Sequence, residues 1–495
     1  ITEKYNRVRK TNSSIKPGDL LLSEQPFAFV LSSKEQGNRC DNCLQKGKVL
    51  KCSGCQFVHY CGRSCQKDAW GDHKWECANL KRIAPKVIPD GARMLAKVIN
   101  RLNRGDGHSY RAFYSATSFR MWKDLMSHYS DLKADKKRME HFTSLCGVLY
   151  EFLKDISLPN TVELMGLYGR MVINSFMILD TDMNSVGTGI YLASSIVDHS
   201  CEPNAVVTFD GKTINIRAIQ DMPTLDWKQI RISYIDLMKT PYERQTELLQ
   251  NYYFLCQCHR CMDETQVKYV HAAKCLNSDC SSPVNIPWKE DLLLVRRPER
   301  NDTKDHDDTN NGEIVEEIAD SINKNEIICT SNNSICCQEC GTKYTENHVQ
   351  NFVKTMEFTL EHLKTMEGAS VSYVDVCKYC LDRQEGVVHP LNVMHAQTLD
   401  HAFDALIQMQ LWQRACVYAE KLIPCFRFYY GQRNPLMGLL HLKYGKILLY
   451  KLDLDKALDQ LKSAEKILRM THGDSHPLYR EQLLPLLHQA MVESS

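Results

Sequence analysis

The chain has 495 residues, 43% hydrophobic and 24% charged, with 61 basic against 60 acidic residues for a net charge of +1. That length suits about three domains with ordinary cores, which excludes wholesale disorder. A near-zero balance also excludes recognition of nucleic acid through a global basic field. The outlying number is 22 cysteines. The N-terminal Ile1-Thr2-Glu3-Lys4-Tyr5 lacks the apolar core of a signal peptide, so a reducing compartment is expected. Cys-x2-Cys pairs recur through the first 340 residues, which is metal-ligand spacing. The longest apolar stretch, 164–179, is broken by Arg170 and Asn174, so no membrane span is expected.

Residues 1–39 read as short strands around Pro17-Gly18-Asp19, with Leu20–Leu22 leading to a turn at Pro26 and then Phe27–Leu31. Residues 40–77 are too short for an ordinary core but hold Cys40-x2-Cys43, Cys52-x2-Cys55, Cys61-x3-Cys65 and His73-x3-Cys77. Eight thiol or imidazole ligands make two tetrahedral zinc sites, and in so small a segment metal binding is folding energy. This ligand order, with the flanking Tyr60–Trp70 run and Asp72-His73-Lys74, resembles a MYND zinc finger. The resemblance implies interleaved pairing: Cys40, Cys43, Cys61 and Cys65 on one ion, Cys52, Cys55, His73 and Cys77 on the other. Spacing alone leaves the pairing open. Such fingers bind protein partners, often proline-rich peptides; a purely structural finger fits the residues as well.

Residues 80–180 read as mostly helical, with amphipathic runs at 142–153 and 162–179. Strands return between Gly187 and Tyr234: Ala205–Phe209, the Asp210-Gly211 turn, Thr213–Ala218 and Ile230–Tyr234. Cys275-x4-Cys280 and Cys337-x2-Cys340-Gly341 look like the two halves of a zinc ribbon, with Cys336 one register step from Cys337. They flank an acidic stretch, 298–325, whose composition predicts a mobile insertion. Cys377-x2-Cys380 has no partner pair and reads as helical core. From about Asn347 the pattern is helical to the end. There, 406–415 matches 448–457 at an offset of 42 residues, the layout of tetratricopeptide-like helix pairs.

Two segments carry the chemistry. One is Gly187-Thr188-Gly189-Ile190-Tyr191 leading to Asp198-His199-Ser200-Cys201-Glu202-Pro203-Asn204; the other is Tyr234-Ile235-Asp236 leading to Tyr252–Cys261. Cys256, Cys258 and Cys261 are one thiolate short of a closed structural site, and Cys201 is the expected fourth, which would bring His199 near Phe254.

These residues resemble a SET domain, and nearly the whole chain resembles a SET and MYND domain protein lysine methyltransferase. The resemblance implies an α+β chain. Its parts are an N-terminal SET part at 1–39, the finger at 40–77, a helical insertion at 78–185 and the SET core at 186–240. A post-SET region with the ribbon and the acidic insertion follows at 241–345, then a tetratricopeptide-like helical domain at 346–495. The family's Asn-His-Ser-Cys-x-Pro-Asn motif falls on Asp198–Asn204, its catalytic tyrosine on Tyr234 and its post-SET zinc motif on Phe254–Cys261. Asn174-Ser175-Phe176 matches a segment on the lysine side, and Ser127-His128 a helical segment at the cofactor's amino-acid end.

The cofactors so implied are S-adenosylmethionine and three zinc ions; the ribbon pairs, an elaboration that close mammalian-type relatives lack, would hold a fourth. Asn6, Arg7, His128, Asp198, His199, Tyr234 and Phe254 would face S-adenosylmethionine; Phe176 and Tyr252 would line the lysine channel. Methyl transfer to a neutral amine needs alignment more than acid–base work, with reacting atoms about 3–3.5 Å apart, and aromatic walls favour a cationic centre. The partners implied are a protein lysine, histone or other, and a proline-rich peptide at the finger, in a monomer of cytoplasm and nucleus.

Three features depart from the family. Its first-strand glycines should fall near Asn6-Arg7-Val8 and are missing, Asp198 replaces an Asn, and Thr224–Lys228 replaces an acidic turn. They keep a second reading open: a catalytically inactive scaffold or transcriptional regulator, binding proteins through finger and helices. A third, nucleic-acid binding through a local positive face at the finger (Lys46, Lys48, Lys51, Arg63, Lys67, Lys74, Lys81, Arg82), is opposed by the charge balance and the lack of a base-reading helix.

Overall fold

The computed structural model describes residues 6–8 (backbone only), 14–154, 156–288, 335–366 and 373–494. The expected acidic insertion at 298–325 lies outside the described residues. The chain divides into two compact units, one of Ile1–Tyr234, Asn251–Tyr253 and Glu465–Leu486, the other of Ile235–Gln250, Phe254–Ala464 and Leu487–Ser495.

The first unit contains β1 (Asn6–Val8), β2 (Leu20–Glu24), β3 (Ala28–Leu31), α1 (Arg63–Ile83), α2 (Asp90–Asn103), α3 (Lys136–Phe152), α4 (Thr161–Asn174), β4 (Ser175–Leu179), β5 (Ser185–Ile190), β6 (Asp198–His199), β7 (Ala205–Asp210), β8 (Thr213–Ala218) and β9 (Arg231–Ile232). One antiparallel sheet runs β1-β2-β8-β7, a second β3-β5-β4, and β6 pairs with β9 in parallel. The hairpin at Asp210-Gly211 needs a left-handed residue, and Gly211 has φ +55°. Leu22, Ile216 and Ala218 from the first sheet and Leu95, Val98, Leu149 and Tyr168 from the helices share one core.

The predicted helix over 162–179 is corrected: it stops at Asn174 and continues as a strand. Asn174 Nδ2 donates to Arg170 O (2.8 Å) and Ser175 Oγ to Met171 O (2.5 Å), so side chains satisfy the last carbonyls. The backbone then pairs with β5, Ser175 opposite Ile190. β4 therefore belongs to a sheet rather than to the helical insertion expected over 78–185. A small hairpin, Ala112–Phe113 with Phe119–Arg120, also interrupts the helical stretch. The strand expected over 230–234 is shorter, Arg231–Ile232.

The second unit contains two short helices, His259–Met262 and Glu264–Val270, and the hairpin β10 (Ala273–Lys274) with β11 (Pro283–Val284). The helices α5 (Glu346–Met366), α6 (Val374–Gln384), α7 (Val393–Gln408), α8 (Trp412–Tyr430) and α9 (Pro435–Tyr450) follow. The 42-residue repeat is visible atom by atom. Gln410 and Leu452 take left-handed φ values of 58° and 63°. Leu411 N donates to Leu406 O (2.9 Å) and Asp453 N to Leu448 O (3.0 Å), the same helix-ending bond in each copy. Ala415 and Ala457 are both fully buried. Cys377 and Cys380 are buried in α6, the Cys377 thiol 3.5 Å from Met366 Sδ.

Candidate functional site

The finger is built from α1 and the hairpin Leu50–Lys51 with His59–Tyr60. Cys40, Cys43, Cys61 and Cys65 converge in one group and Cys52, Cys55, His73 and Cys77 in another, the ligand atoms of each within 4.8 Å of one another. A tetrahedral ion with bonds of about 2.3 Å to sulfur separates two sulfurs by about 3.8 Å. The Cys43–Cys61 distance is 3.8 Å, Cys61–Cys65 3.5 Å and Cys52–Cys77 4.0 Å. Both sets fit zinc, and no disulfide at about 2.05 Å is formed.

His73 Nε2 faces Cys55 Sγ at 3.6 Å, while Nδ1–H donates to Glu76 Oε1 at 3.1 Å. That carboxylate is buried and grips Arg93 of α2: Nε to Oε2 is 3.0 Å and Nη2 to Oε1 2.9 Å. Arg93 Nη1 also donates to Asp41 Oδ1 (3.2 Å), and Asp41 Oδ2 accepts His59 N–H (2.8 Å). Burial alone would raise the Glu76 pKa, but the Arg93 and Lys97 charges outweigh it and hold the carboxyl well below its usual range. The ligand His73 is thus oriented by a carboxylate that a buried arginine holds in place.

The second group is centred on Tyr234. Its backbone N–H donates to His199 Nδ1 (3.0 Å), which fixes the tautomer, so His199 Nε2–H points at Cys201 Sγ 3.2 Å away. The Tyr234 hydroxyl donates to Val197 O at 2.5 Å. Its ring packs against His199 (centroids 5.3 Å apart) and Tyr252 (5.0 Å). Burial first, and the Asp198 charge second, push its phenol above the usual range, so it stays protonated at neutral pH.

Three devices hold this loop. Ser200 N–H donates to Ile232 O (3.0 Å) and Asn204 N–H to Arg231 O (3.2 Å). The Asn204 side chain accepts Arg231 N–H (2.8 Å) and donates to Gln229 O (2.9 Å). Glu24 of β2, fully buried, accepts Ala193 N–H (3.0 Å), Ser194 N–H (2.8 Å) and the Ser194 hydroxyl (2.7 Å), fixing the turn that precedes Val197. Burial raises the Glu24 pKa to about 7 against those donors.

The remaining expected residues are spread more widely. Asp198 has a side chain 72% exposed, 3.8 Å from Arg231 Nη1. Phe176 on β4 meets Tyr191 edge-on at 5.8 Å. Ser127-His128 is not helical, a correction: His128 has φ 47° in the turn before the helix Tyr129–Ala134, its Nδ1 2.9 Å from Asp131 and its ring 5.5 Å from Tyr253. Asn174 Nδ2 also donates to Met126 O (2.8 Å), tying that turn to α4. Asn6 and Arg7 lie on β1, Asn6 opposite Glu24 and Arg7 opposite Ser23. Cys201 is in the first unit; Phe254, Cys256, Cys258 and Cys261 are in the second, where Arg244 Nη2 donates to Cys261 Sγ (3.7 Å) and Gln245 to Cys256 O (2.8 Å).

Sequence reasoning missed Glu24, Arg93 and the role of Asn204. The signal was available for the first two: each is a charge placed in an apolar run, Leu20-Leu21-Leu22-Ser23-Glu24 and Ala92-Arg93-Met94-Leu95-Ala96.

The sequence is also similar to known proteins. Residues 40–77 match the family model of the MYND finger. The human histone-lysine N-methyltransferase SMYD3 is 27% identical over 98% of this chain and 96% of its own. Histone-lysine N-methyltransferase ASHR1 of Arabidopsis thaliana is 25% identical over 98% and 93%, and human N-lysine methyltransferase SMYD2 24% over 94% and 92%. With the MYND finger matched at 40–77 and end-to-end similarity to three such proteins, the chain is similar along nearly its whole length to MYND-bearing lysine methyltransferases.

Proposed function

We propose that the chain is an S-adenosylmethionine-dependent protein-lysine N-methyltransferase, acting on histone or other proteins. In this reading the first unit holds a SET fold split by the finger, and the C-terminal helices are a tetratricopeptide-like domain. One observation carries it: the Tyr234 hydroxyl gives its proton to Val197 O, which leaves the phenolic oxygen as an acceptor beside two other rings. An acceptor so fixed orients a neutral lysine amine through its N–H, and a phenol kept protonated by burial is a positioning group rather than a base. The Tyr234 and Tyr252 faces fit a sulfonium, and S-adenosylmethionine when bound supplies the methyl group.

His199 has both ring nitrogens engaged, so its role is to hold Tyr234 rather than to contact the cofactor through the ring. Phe176 and Tyr252 are retained as channel residues; Asn6, Arg7, His128, Asp198 and Phe254 remain cofactor candidates by resemblance. Ligand count and resemblance assign Cys201 with Cys256, Cys258 and Cys261 to a third zinc. Donation onto Cys201 from His199 and onto Cys261 from Arg244 supports thiolate character at both. At the finger, a peptide partner is proposed by resemblance; the hollow formed by Arg63, Gln66, Lys67 and Trp70 also includes Cys52 and Cys77 and lies beside their ion site. Cytoplasm and nucleus are the compartments proposed. Among the described residues no helix is long and apolar enough to cross a membrane.

The test is calorimetric titration with S-adenosylmethionine together with methyl transfer to histones and other candidate proteins. Tyr234→Phe should bind within a few-fold of wild type and lose most turnover. Equal loss of both would place Tyr234 in the packing alone. The scaffold reading is favoured by Asp198, acceptor-only where the family has an amide, and by the missing glycines at Asn6 and Val8. It predicts no binding by wild type and a gain in the triple variant Asn6→Gly, Val8→Gly, Asp198→Asn.

A further inference from the structure

We infer that Cys275, Cys280, Cys337 and Cys340 form a fourth, closed zinc site in the second unit, whose work is to join the β10–β11 hairpin to the helical segment that begins at α5. The four sulfurs lie within 4.8 Å of one another although the two pairs are far apart in sequence. Cys280–Cys337 is 3.8 Å and Cys275–Cys340 3.4 Å, close to the spacing a tetrahedral ion imposes and far beyond a disulfide bond.

Each half is shaped as a ligand turn. Cys337 N–H donates to Thr342 O (2.9 Å), Gly341 N–H returns to Cys337 O (3.0 Å), and Gly341 takes φ +72°, where a side chain would be strained. Cys280 N–H closes on Asn277 O (3.1 Å) in the other half. The register is decided as well: Cys337 is 1% exposed and inside the group, while Cys336 is exposed and outside it.

The surroundings orient the ligands as an outer shell does. The Thr342 hydroxyl lies 3.1 Å from Cys340 Sγ, and the Tyr344 hydroxyl donates to Lys274 O beside Cys275. His389 accepts Leu391 N–H on Nδ1 (3.1 Å), so its Nε2–H donates to Ser281 O (3.0 Å), next to Cys280. Lys274 N–H donates to Val387 O and Asn392 Nδ2 to Ala272 O, continuing the hairpin into the turn that precedes α7. Four thiolates leave no open position, so the site is structural rather than catalytic, and soft sulfur ligands in this geometry select zinc.

Zinc content per chain, measured on the full protein by mass spectrometry of the metal, tests this. Cys337→Ser with Cys340→Ser should lose one equivalent of zinc, and Cys336→Ser none. An unchanged content in the double variant overturns the site, as does oxidation of these four cysteines in the protein as purified. Equal loss in Cys336→Ser overturns the register. Should the double variant fail to accumulate, anomalous diffraction at the zinc edge from wild-type crystals decides: a peak among the four sulfurs is expected, and its absence refutes the assignment. Methyl transfer plays no part in either readout, so failure here and failure of the enzymatic reading are distinct.

Discussion

Replacing Arg93 by Met tests whether a side chain outside the finger governs the finger's metal. Arg93 is 4% exposed and gives three hydrogen bonds to two buried carboxylates, Glu76 and Asp41. Met keeps most of the volume and removes the charge. Glu76 is then left with His73 and with Lys97 at 3.6 Å, and Asp41 with the His59 N–H. Removing one partner of a buried ion pair costs about 3–5 kcal/mol, because the other charge stays behind without compensation. Part of that loss falls on zinc. Disturbing the carboxylate that orients a histidine ligand lowers metal affinity about 10–100-fold, or about 1.4–2.7 kcal/mol. A competition with a chromophoric chelator reads this directly: one ion per chain should transfer 10–100 times more readily than in wild type, the others unchanged. Transfer at wild-type affinity, with an unchanged unfolding midpoint, would refute the reasoning.

Glu24 makes a prediction about pH. Its folded pKa of about 7 stands above the ordinary 4.5, so the folded state holds the proton more tightly. Its contribution is therefore full below pH 4.5 and is lost as pH rises through 7. A shift of that size is worth about 3 kcal/mol, so between pH 5 and 8 wild type should lose about that much more stability to urea than Glu24→Gln. Parallel pH dependence in the two proteins would show that Glu24 does not titrate there. Gly187→Ala should lower the unfolding midpoint sharply and reduce soluble yield. A Cβ there would meet Val30 O at 2.5 Å, on the strand-pairing side where backbone cannot retreat. An unchanged midpoint would mean that β3 and β5 slide apart at little cost.

What could be read from the chain follows the range of the interactions. β8 and the Asp210-Gly211 turn were legible because hairpins are local, set by alternation and one left-handed residue. The finger's ligands were legible because their chemistry is carried by residue type at fixed spacing. The 162–179 run misled because its apolar content suits helix and strand alike; the break is made by Asn174 reaching back to Arg170 and across to Met126. Around Tyr234, sequence and resemblance pointed to the tyrosine itself. Its partners, Val197 O and His199 Nδ1, could not be seen, since one is backbone and the other depends on the parallel pairing of β6 with β9. Arg93 and Glu24 were similarly invisible as partners, because each meets its counterpart only after distant segments pack.

The membership of the first unit sets the order in which it can be completed during synthesis. β7 is the edge of its sheet, and that edge is met by the segment Glu465–Leu486. His476 Nε2 donates to Phe209 O (2.8 Å) and Thr208 Oγ1 lies 3.4 Å from Thr471 O. From Asp210 to Glu465 is 255 residues. At about 5–20 residues per second the ribosome takes about 13–50 s to deliver them. For that interval a nascent chain carries a formed or forming sheet whose outer strand has no native cover, the exposure that invites strand addition by a neighbour. The segment Glu465–Leu486 thus closes that edge, and a chain truncated before it would leave the ribosome with an open edge.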